Sequence, residues 1–393
     1  MGGFIMASTI NSDTSNGVVI TPDTSGEIEL QSAGVTQAKV TSSGLQNASG
    51  VAITAQSGKN LIINGNMAIA QRGTSVTGIT SAGYYTCDRW KHQLSGGGTY
   101  TQAQTALTSA NAPFADGFSQ SVKYDCTTAY TSADSFSTLR QIIEGFNLQQ
   151  LAYGTSSAKS LTLSFWVKSN VTGTAVASLY SVDSNKYIGK TYTIDATNTW
   201  EYKTVTFAGD TASSFDNDNA GSLYVNLVMA AGTDYTSGTL PLTWTTFANA
   251  NFAAGQTIDI SASTSNEIAF TGVQLEAGTT ATPFEHLQYG QQLALCQRYF
   301  QVIGGGKSSA AIFGGDSSSS SNVYTHIPLS GGSMRSSPTV TEEGTFNTLN
   351  IGSRAFDYLN TMSIALRVST SSSGRYFIEL DTSDDRILLS SEL

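Results

Sequence analysis

Leu161-Thr162-Leu163-Ser164-Phe165-Trp166-Val167-Lys168 alternates strictly, with Leu161, Leu163, Phe165 and Val167 on one face and Thr162, Ser164, Trp166 and Lys168 on the other. A period of two is that of a strand, so one face belongs to a core and the other presents an aromatic beside a cation. The pattern recurs at Lys203-Thr204-Val205-Thr206-Phe207, at residues 223–228 and at residues 267–275, with Gly-, Ser- and Asn-rich turns between the runs. Short strands joined this way build a two-sheet sandwich. Residues 137–145 fit a strand or one or two helical turns, and a strand is the reading taken.

Composition agrees. Only 12% of the residues are charged, while Ser, Thr, Gly and Asn abound and β-branched and aromatic residues recur in short runs, which favours an all-β protein. A chain of 393 residues exceeds what one core usually covers, so two or three units are expected. The net charge of -10 opposes nucleic acid and anionic lipid as partners, since both need a dense cationic face. Cys87, Cys126 and Cys296 are odd in number and lack metal-ligand spacing, which makes them buried thiols rather than a disulfide framework. No secretory pattern and no apolar run of about 18 residues is present, so membrane insertion is not expected. Met6-Ala7-Ser8 reads as a second start, which would make residues 1–5 a leader without structural weight.

Four motifs occur in order: Asn60-Leu61-Ile62-Ile63-Asn64-Gly65-Asn66-Met67-Ala68-Ile69-Ala70-Gln71-Arg72-Gly73-Thr74-Ser75 with Asp88-Arg89-Trp90; Gly272-Val273-Gln274-Leu275-Glu276-Ala277-Gly278; Thr282-Pro283-Phe284-Glu285-His286; and Leu293-Ala294-Leu295-Cys296-Gln297-Arg298-Tyr299-Phe300. Together they resemble phage tail-fibre and virion appendage proteins carrying a carbohydrate-binding-module-like, jelly-roll domain. The resemblance implies opening and closing strands of a central module, then a short helix and a small C-terminal β domain. Four regions are expected: an attachment and trimerisation segment (1–59), a central jelly-roll-like β-sandwich (60–283), a linking helix (284–300) and a distal β-sandwich (301–393). Tyr289, Leu293, Cys296 and Phe300 lie on one side at helical spacing, and Pro283 tolerates a helix start. In the first region the β pieces are too short to enclose a core. Three copies together would bury Val18, Ile20, Ile28, Leu30 and Val40 near a shared axis. The Ser317–Ser321 run reads as an exposed loop.

The chain lacks the nucleophile elbow, phosphate loop and zinc-helix motifs of common catalysts. Asp88, Asp125, Glu144, Glu267 and Glu276 are carboxylates in the right kind of module for glycoside hydrolysis, but sequence does not show two of them facing each other. Asp88 is expected to pair with Arg72 or Arg89 or to cap a turn. Sugar binding needs flat rings beside polar groups; the candidate rings are Trp90, Trp166, Trp200, Trp244, Tyr84, Tyr85 and Tyr180, and Trp166, Lys168, Tyr180 and Trp244 are the residues assigned to it. Trp90 is expected in the core. A loop covering the outer face of its strand would remove Trp166 from the set. No cofactor is expected, although Asp216-Asn217-Asp218-Asn219 could hold a structural calcium ion or form a solvated turn.

The function these readings imply is that of a non-enzymatic phage virion protein, a homotrimeric tail fibre or similar appendage that adsorbs to a host surface glycan and attaches to other virion proteins through its N-terminal segment. Its place would be the virion surface. The alternatives are a purely structural decoration, head-fibre or tail-shaft component, and a polysaccharide depolymerase.

Overall fold

Leu161, Leu163, Phe165 and Val167 are all fully buried, and Trp166 and Lys168 on the opposite face are not, as the alternation requires. The computed structural model describes residues 28–32, 35–41, 44–47, 58–304, 310–318, 322–329, 331–357, 359–380 and 384–393. They fall into two units, Met1–Gly58 with Thr280–Pro283, and Lys59–Thr279 with Phe284–Leu393.

In the first unit β1 (Ile28–Ser32), β2 (Val35–Thr41) and β3 (Gly44–Asn47) form an antiparallel sheet in that order. Ile28 lies opposite Val40, and Leu30 opposite Ala38, so these apolar residues share one face. On the other face Lys39 Nζ reaches Glu29 at 2.9 Å. Leu30 and Val40 are 49% and 39% exposed. Val18 and Ile20 lie outside the described residues, as do residues 1–5.

The second unit opens with β4 (Ser75–Ile79), β5 (Gly83–Tyr84), β6 (Lys91–Ser95), β7 (Thr99–Ala106), β8 (Gln120–Thr128) and β9 (Phe136–Glu144). It continues through β10 (Leu161–Ser169), β11 (Gly173–Ser181), β12 (Lys186–Ile194), β13 (Glu201–Phe207), β14 (Gly221–Ala231), β15 (Thr245–Thr246) and β16 (Glu267–Ala277). These strands make an antiparallel, jelly-roll-like sandwich. One sheet runs β13-β10-β16-β8-β7-β4 and the other β15-β12-β11-β14-β9-β6-β5. The core between them is formed by residues such as Leu163, Phe165 and Phe270 from the first and Leu139, Leu179 and Val225 from the second.

The asparagine-glycine stretch from Asn60 and the closing strand meet directly. Leu61 N donates to Leu275 O at 2.9 Å, Val273 N to Gly65 O at 2.9 Å, and Leu275 N to Asn60 Oδ1 at 3.0 Å. A Cβ on Gly65 would sit 2.0 Å from the Val273 carbonyl oxygen, so this approach admits only glycine. Trp90 is wholly buried and donates its indole N–H to Asn64 O at 2.9 Å.

The linking helix is shorter than its motif suggests. It spans Tyr289–Gln297, starts from a capping box between Gln288 and Gln291, and leaves Tyr289 66% exposed. Residues 284–288 are not helical because Phe284 and His286 pack on Phe118, with ring centroids 4.9 and 5.2 Å away. The remaining strands are β17 (Phe300–Gly304), β18 (Ala310–Ser317), β19 (Asn322–Pro328), β20 (Thr339–Glu343), β21 (Asn347–Leu349), β22 (Ile351–Asp357), β23 (Ser363–Thr370), β24 (Gly374–Leu380) and β25 (Arg386–Ser390). They form three small sheets, β17-β25-β20, β18-β24-β21 and β19-β23-β22, around Leu366, Val368 and Ile378 and around Met334, Ile364 and Leu389. Residues 319–321 of the serine run lie outside the described residues.

A buried ionic clasp joins this small β-sandwich to the large one. Arg89 donates to Glu392 and, at 2.6 Å, to Ile142 O, while Arg72 reaches Glu392 at 3.0 Å and Asp88 at 3.4 Å. The Arg89 guanidinium stacks 3.4 Å above Tyr299, and Arg298 grips Glu144 at 2.9 and 2.6 Å. No helix among the described residues is long and apolar enough to cross a membrane.

Candidate functional site

The outer face of the seven-stranded sheet carries a continuous polar and aromatic row. Pairing aligns Ser178 of β11 with Asn226 of β14, Asn226 with Arg140 of β9, Arg140 with Lys91 of β6, and Lys91 with Tyr84 of β5. Five neighbouring strands at about 4.8 Å spacing make this row roughly 19 Å long. One register step away Tyr180 lies opposite Tyr224, with ring centroids 5.6 Å apart. These side chains point outward because their neighbours Leu139, Leu179, Val225 and Leu227 fill the core.

Hydrogen bonds fix the row internally. Asn226 Nδ2 donates to Ser178 Oγ at 3.2 Å, and its Oδ1 accepts from Arg140 Nε at 2.7 Å. The Arg140 guanidinium lies 4.9 Å from the Tyr224 ring centroid, and the Lys91 ammonium 5.8 Å from that of Tyr84. Tyr180 donates to Asn185 Oδ1 at 3.0 Å and meets Phe247 edge-on at 5.2 Å. Burial holds the Arg140 guanidinium down to about 10, and burial followed by the Arg140 charge lowers Lys91.

Two walls flank the row. On one side the segment between β14 and β15 and its continuation cover the sheet, with Tyr235, Phe247 and Phe252 packed over Tyr187, Val176 and Val228. On the other side Tyr84 donates to Leu393 O at 2.8 Å, and Arg72 stands 5.5 Å from the Tyr84 ring. In the trough between them Arg140, Lys91, Tyr84, Tyr180 and Tyr224 are part-exposed, while Ser178 and Asn226 are fully buried and brace Arg140 from within the sheet face.

The four residues assigned from sequence do not converge. Trp166 and Lys168 share the outer face of the six-stranded sheet, and Tyr180 lies on the opposite side of the sandwich. The segment from Leu107 to Ser119 folds across the Trp166 face: Trp166 donates to Asp116 Oδ2 at 3.2 Å and packs in a cluster with Leu107, Phe118 and Trp200. This loop covers part of the Trp166 face and engages its indole N–H, while the ring stays part-exposed. Lys168 stands over Trp200 at 5.8 Å. Trp244 donates to Ala208 O at 2.7 Å and meets Tyr153 edge-on at 5.8 Å, so its polar edge is used at the rim of the core. Of the four assigned residues Tyr180 alone belongs to the trough, where it is joined by Tyr84 from the wider set of candidate rings. Its companions Arg140, Asn226, Tyr224 and Lys91 escaped the sequence reading. The signal was there for three of them: each alternates with core residues in its run.

The carboxylates are engaged elsewhere. Asp88 is fully buried against Arg72 and Gln71, and burial raises it to about 6. Glu144 pairs with Arg298. Asp125 and Glu267 are cross-strand partners that share Lys123 at 2.8 and 3.1 Å. Burial opposes the Glu267 charge, but the Lys123 hydrogen bond and charge outweigh it and hold the group below its ordinary range, the wrong direction for a general acid. In the 216–219 segment Asp218 Oδ1 accepts from Ala220 N at 2.9 Å and Asn219 donates to Arg335 O at 2.8 Å, a turn held by its own side chains. Among the described residues no group of three or more His, Cys, Asp or Glu could hold a metal ion.

No family model matches the chain. No curated protein matches it either. Among solved structures it is similar to the enzymatically active domain of tailspike protein 4 of bacteriophage CBA120, at 14% identity and a TM-score of 0.29 over 56% of this chain. The match spans 21% of that chain, about a fifth of its length. A CBM4 structure is similar at 12% identity and TM-score 0.26, covering 55% of this chain and 97% of its own. A family 11 carbohydrate-binding module from Clostridium thermocellum, solved with a β-1,3-1,4-mixed-linked tetrasaccharide, is similar at 11% identity and TM-score 0.26, covering 53% and 98%.

Proposed function

We propose that this chain is a virion surface protein, a phage tail fibre or fibre-like appendage, that recognises a host surface glycan without cleaving it. The observation that carries the glycan reading is the part-exposed cross-strand row Arg140-Lys91-Tyr84, braced by the buried Asn226 and Ser178, beside the Tyr180 and Tyr224 rings. Rings stack on the apolar faces of sugar rings, and part-exposed polar groups beside them take the substituents. The ordered sequence motifs support the virion setting. The first unit supports trimerisation: its sheet is too small to stand alone, and one face carries Ile28, Leu30, Ala38 and Val40. Three chains closing on that face would give three troughs and let weak single sites act together. The same unit would hold the chain to other virion proteins. Asp125 and Glu267 are assigned no chemistry, since Lys123 binds both.

A glycan array probed with the full chain tests the reading. Binding that Tyr180→Ala and Tyr224→Ala each weaken by about tenfold supports it. Binding unchanged in both variants places recognition elsewhere, and absence of binding to any glycan favours a purely structural component.

A further inference from the structure

We propose that the saccharide taken by this trough is anionic and bears a carboxylate held by Arg140 and Lys91. The inference rests on the reading of the trough as a glycan site and names the chemistry of its ligand. Arg140 and Lys91 face each other directly across β9 and β6. Like charges in that position repel, and both side chains are only part-exposed, so the arrangement is unfavourable unless something answers it.

Nothing in the protein does so by ion pairing. Among the described residues no carboxylate lies within ion-pair distance of either group, although Arg72, Arg89, Lys123, Lys186, Lys203 and Arg298 in the same unit all have one. Asp88 and Glu392, the nearby acids, are taken by Arg72 and Arg89. Lys159, Lys168, Lys190 and Arg335 of this unit also lack an ion pair among the described residues, but Arg140 and Lys91 are two such cations set directly opposite each other on one face.

Arg140 is also aimed. Its Nε is bound to Asn226, which is itself bound to Ser178, and its plane rests on Tyr224. That leaves the terminal nitrogens, for which the protein supplies no hydrogen-bond acceptor among the described residues. A guanidinium fixed in this way matches a carboxylate through two parallel hydrogen bonds, and the Lys91 ammonium supplies a second charge one strand away. The lowered affinities of both groups for their protons agree, because an anion would relieve them.

The test is calorimetric titration of the full chain with four probes: oligogalacturonate, the same oligomer with its carboxyl groups reduced, cellohexaose and sulfated dextran. The expected result is that oligogalacturonate binds, that carboxyl reduction costs at least tenfold, and that added salt weakens binding. Arg140→Gln and Lys91→Met are each expected to lose at least tenfold for the acidic oligomer. Equal affinity for the acidic and reduced oligomers, or binding of cellohexaose alone, overturns the inference and leaves the glycan reading intact. Binding of sulfated dextran but not oligogalacturonate overturns the carboxylate assignment. Absence of binding to all four, or binding that Tyr180→Ala and Tyr224→Ala leave unchanged, fails the glycan reading and the inference with it. The comparison of acidic with reduced oligomer uses the unaltered protein, so it decides the question even if Arg140→Gln fails to fold.

Discussion

Asp88 and His92 are both fully buried, and pH acts on them in opposite directions. Burial raises Asp88 from 3.8 to about 6, so its protonated form favours the folded state; that contribution is complete below pH 3.8 and is lost as pH rises through 6. Burial lowers His92 from 6.5 to about 3, so its neutral form favours folding; that contribution is complete above pH 6.5 and is lost as pH falls toward 3. Thermal melts across this range are expected to show a shallower acid loss in His92→Gln, which can keep the bond to Ser137, and no downward drift between pH 4 and 6 in Asp88→Asn. Unchanged slopes would contradict the assigned protonation states. The thiols make a related case. Cys87 is pushed up to about 12 by burial, and all three cysteines are buried, so a thiol reagent is expected to label none of them until the protein unfolds.

At the scale of elements, legibility followed locality. The faces of β10 were readable because side-chain alternation is a property of eight consecutive residues. The trough was not, because its row exists only through register: Asn226 and Arg140 lie 86 positions apart and meet by strand pairing. Trp166 misled for the same reason. Its outward direction was legible, but Asp116 and Phe118, which cover part of it, come from a distant segment. The helix boundary failed at Phe284 and His286, whose packing on Phe118 competes with the helical start that Pro283 permits. Two predictions belong here. Trp166→Ala is expected to destabilise the chain by about 2 kcal/mol, since a partly buried indole is removed from its cluster, and to leave glycan affinity unchanged. Glu392→Ala leaves Arg89 buried without its carboxylate and is expected to cost roughly 3–5 kcal/mol at the joint between the two sandwiches. Limited proteolysis should then cut between the two sandwiches, where the native protein resists. Resistance equal to the native chain would show that the clasp does not hold the joint.

The whole molecule comprises a small amphipathic sheet, a large sandwich with one decorated face, and a C-terminal β unit clasped to that sandwich. Ile28, Leu30, Ala38 and Val40 on one face of the first unit call for a covering partner, and two further copies are the proposed one. Light scattering is expected to give three times the 41.3 kDa of one chain, and Leu30→Asp with Val40→Asp is expected to reduce it to one. A monomer in the unaltered protein would contradict the trimer. The central claim is the glycan face, and its most direct test is binding of a captured array ligand to the native chain, to the Tyr180→Ala, Tyr224→Ala double variant and to Trp166→Ala. The account predicts loss of binding in the double variant and native affinity in Trp166→Ala. The reverse pattern, with binding abolished by Trp166→Ala and kept without the two tyrosines, would contradict it and move recognition to the opposite sheet.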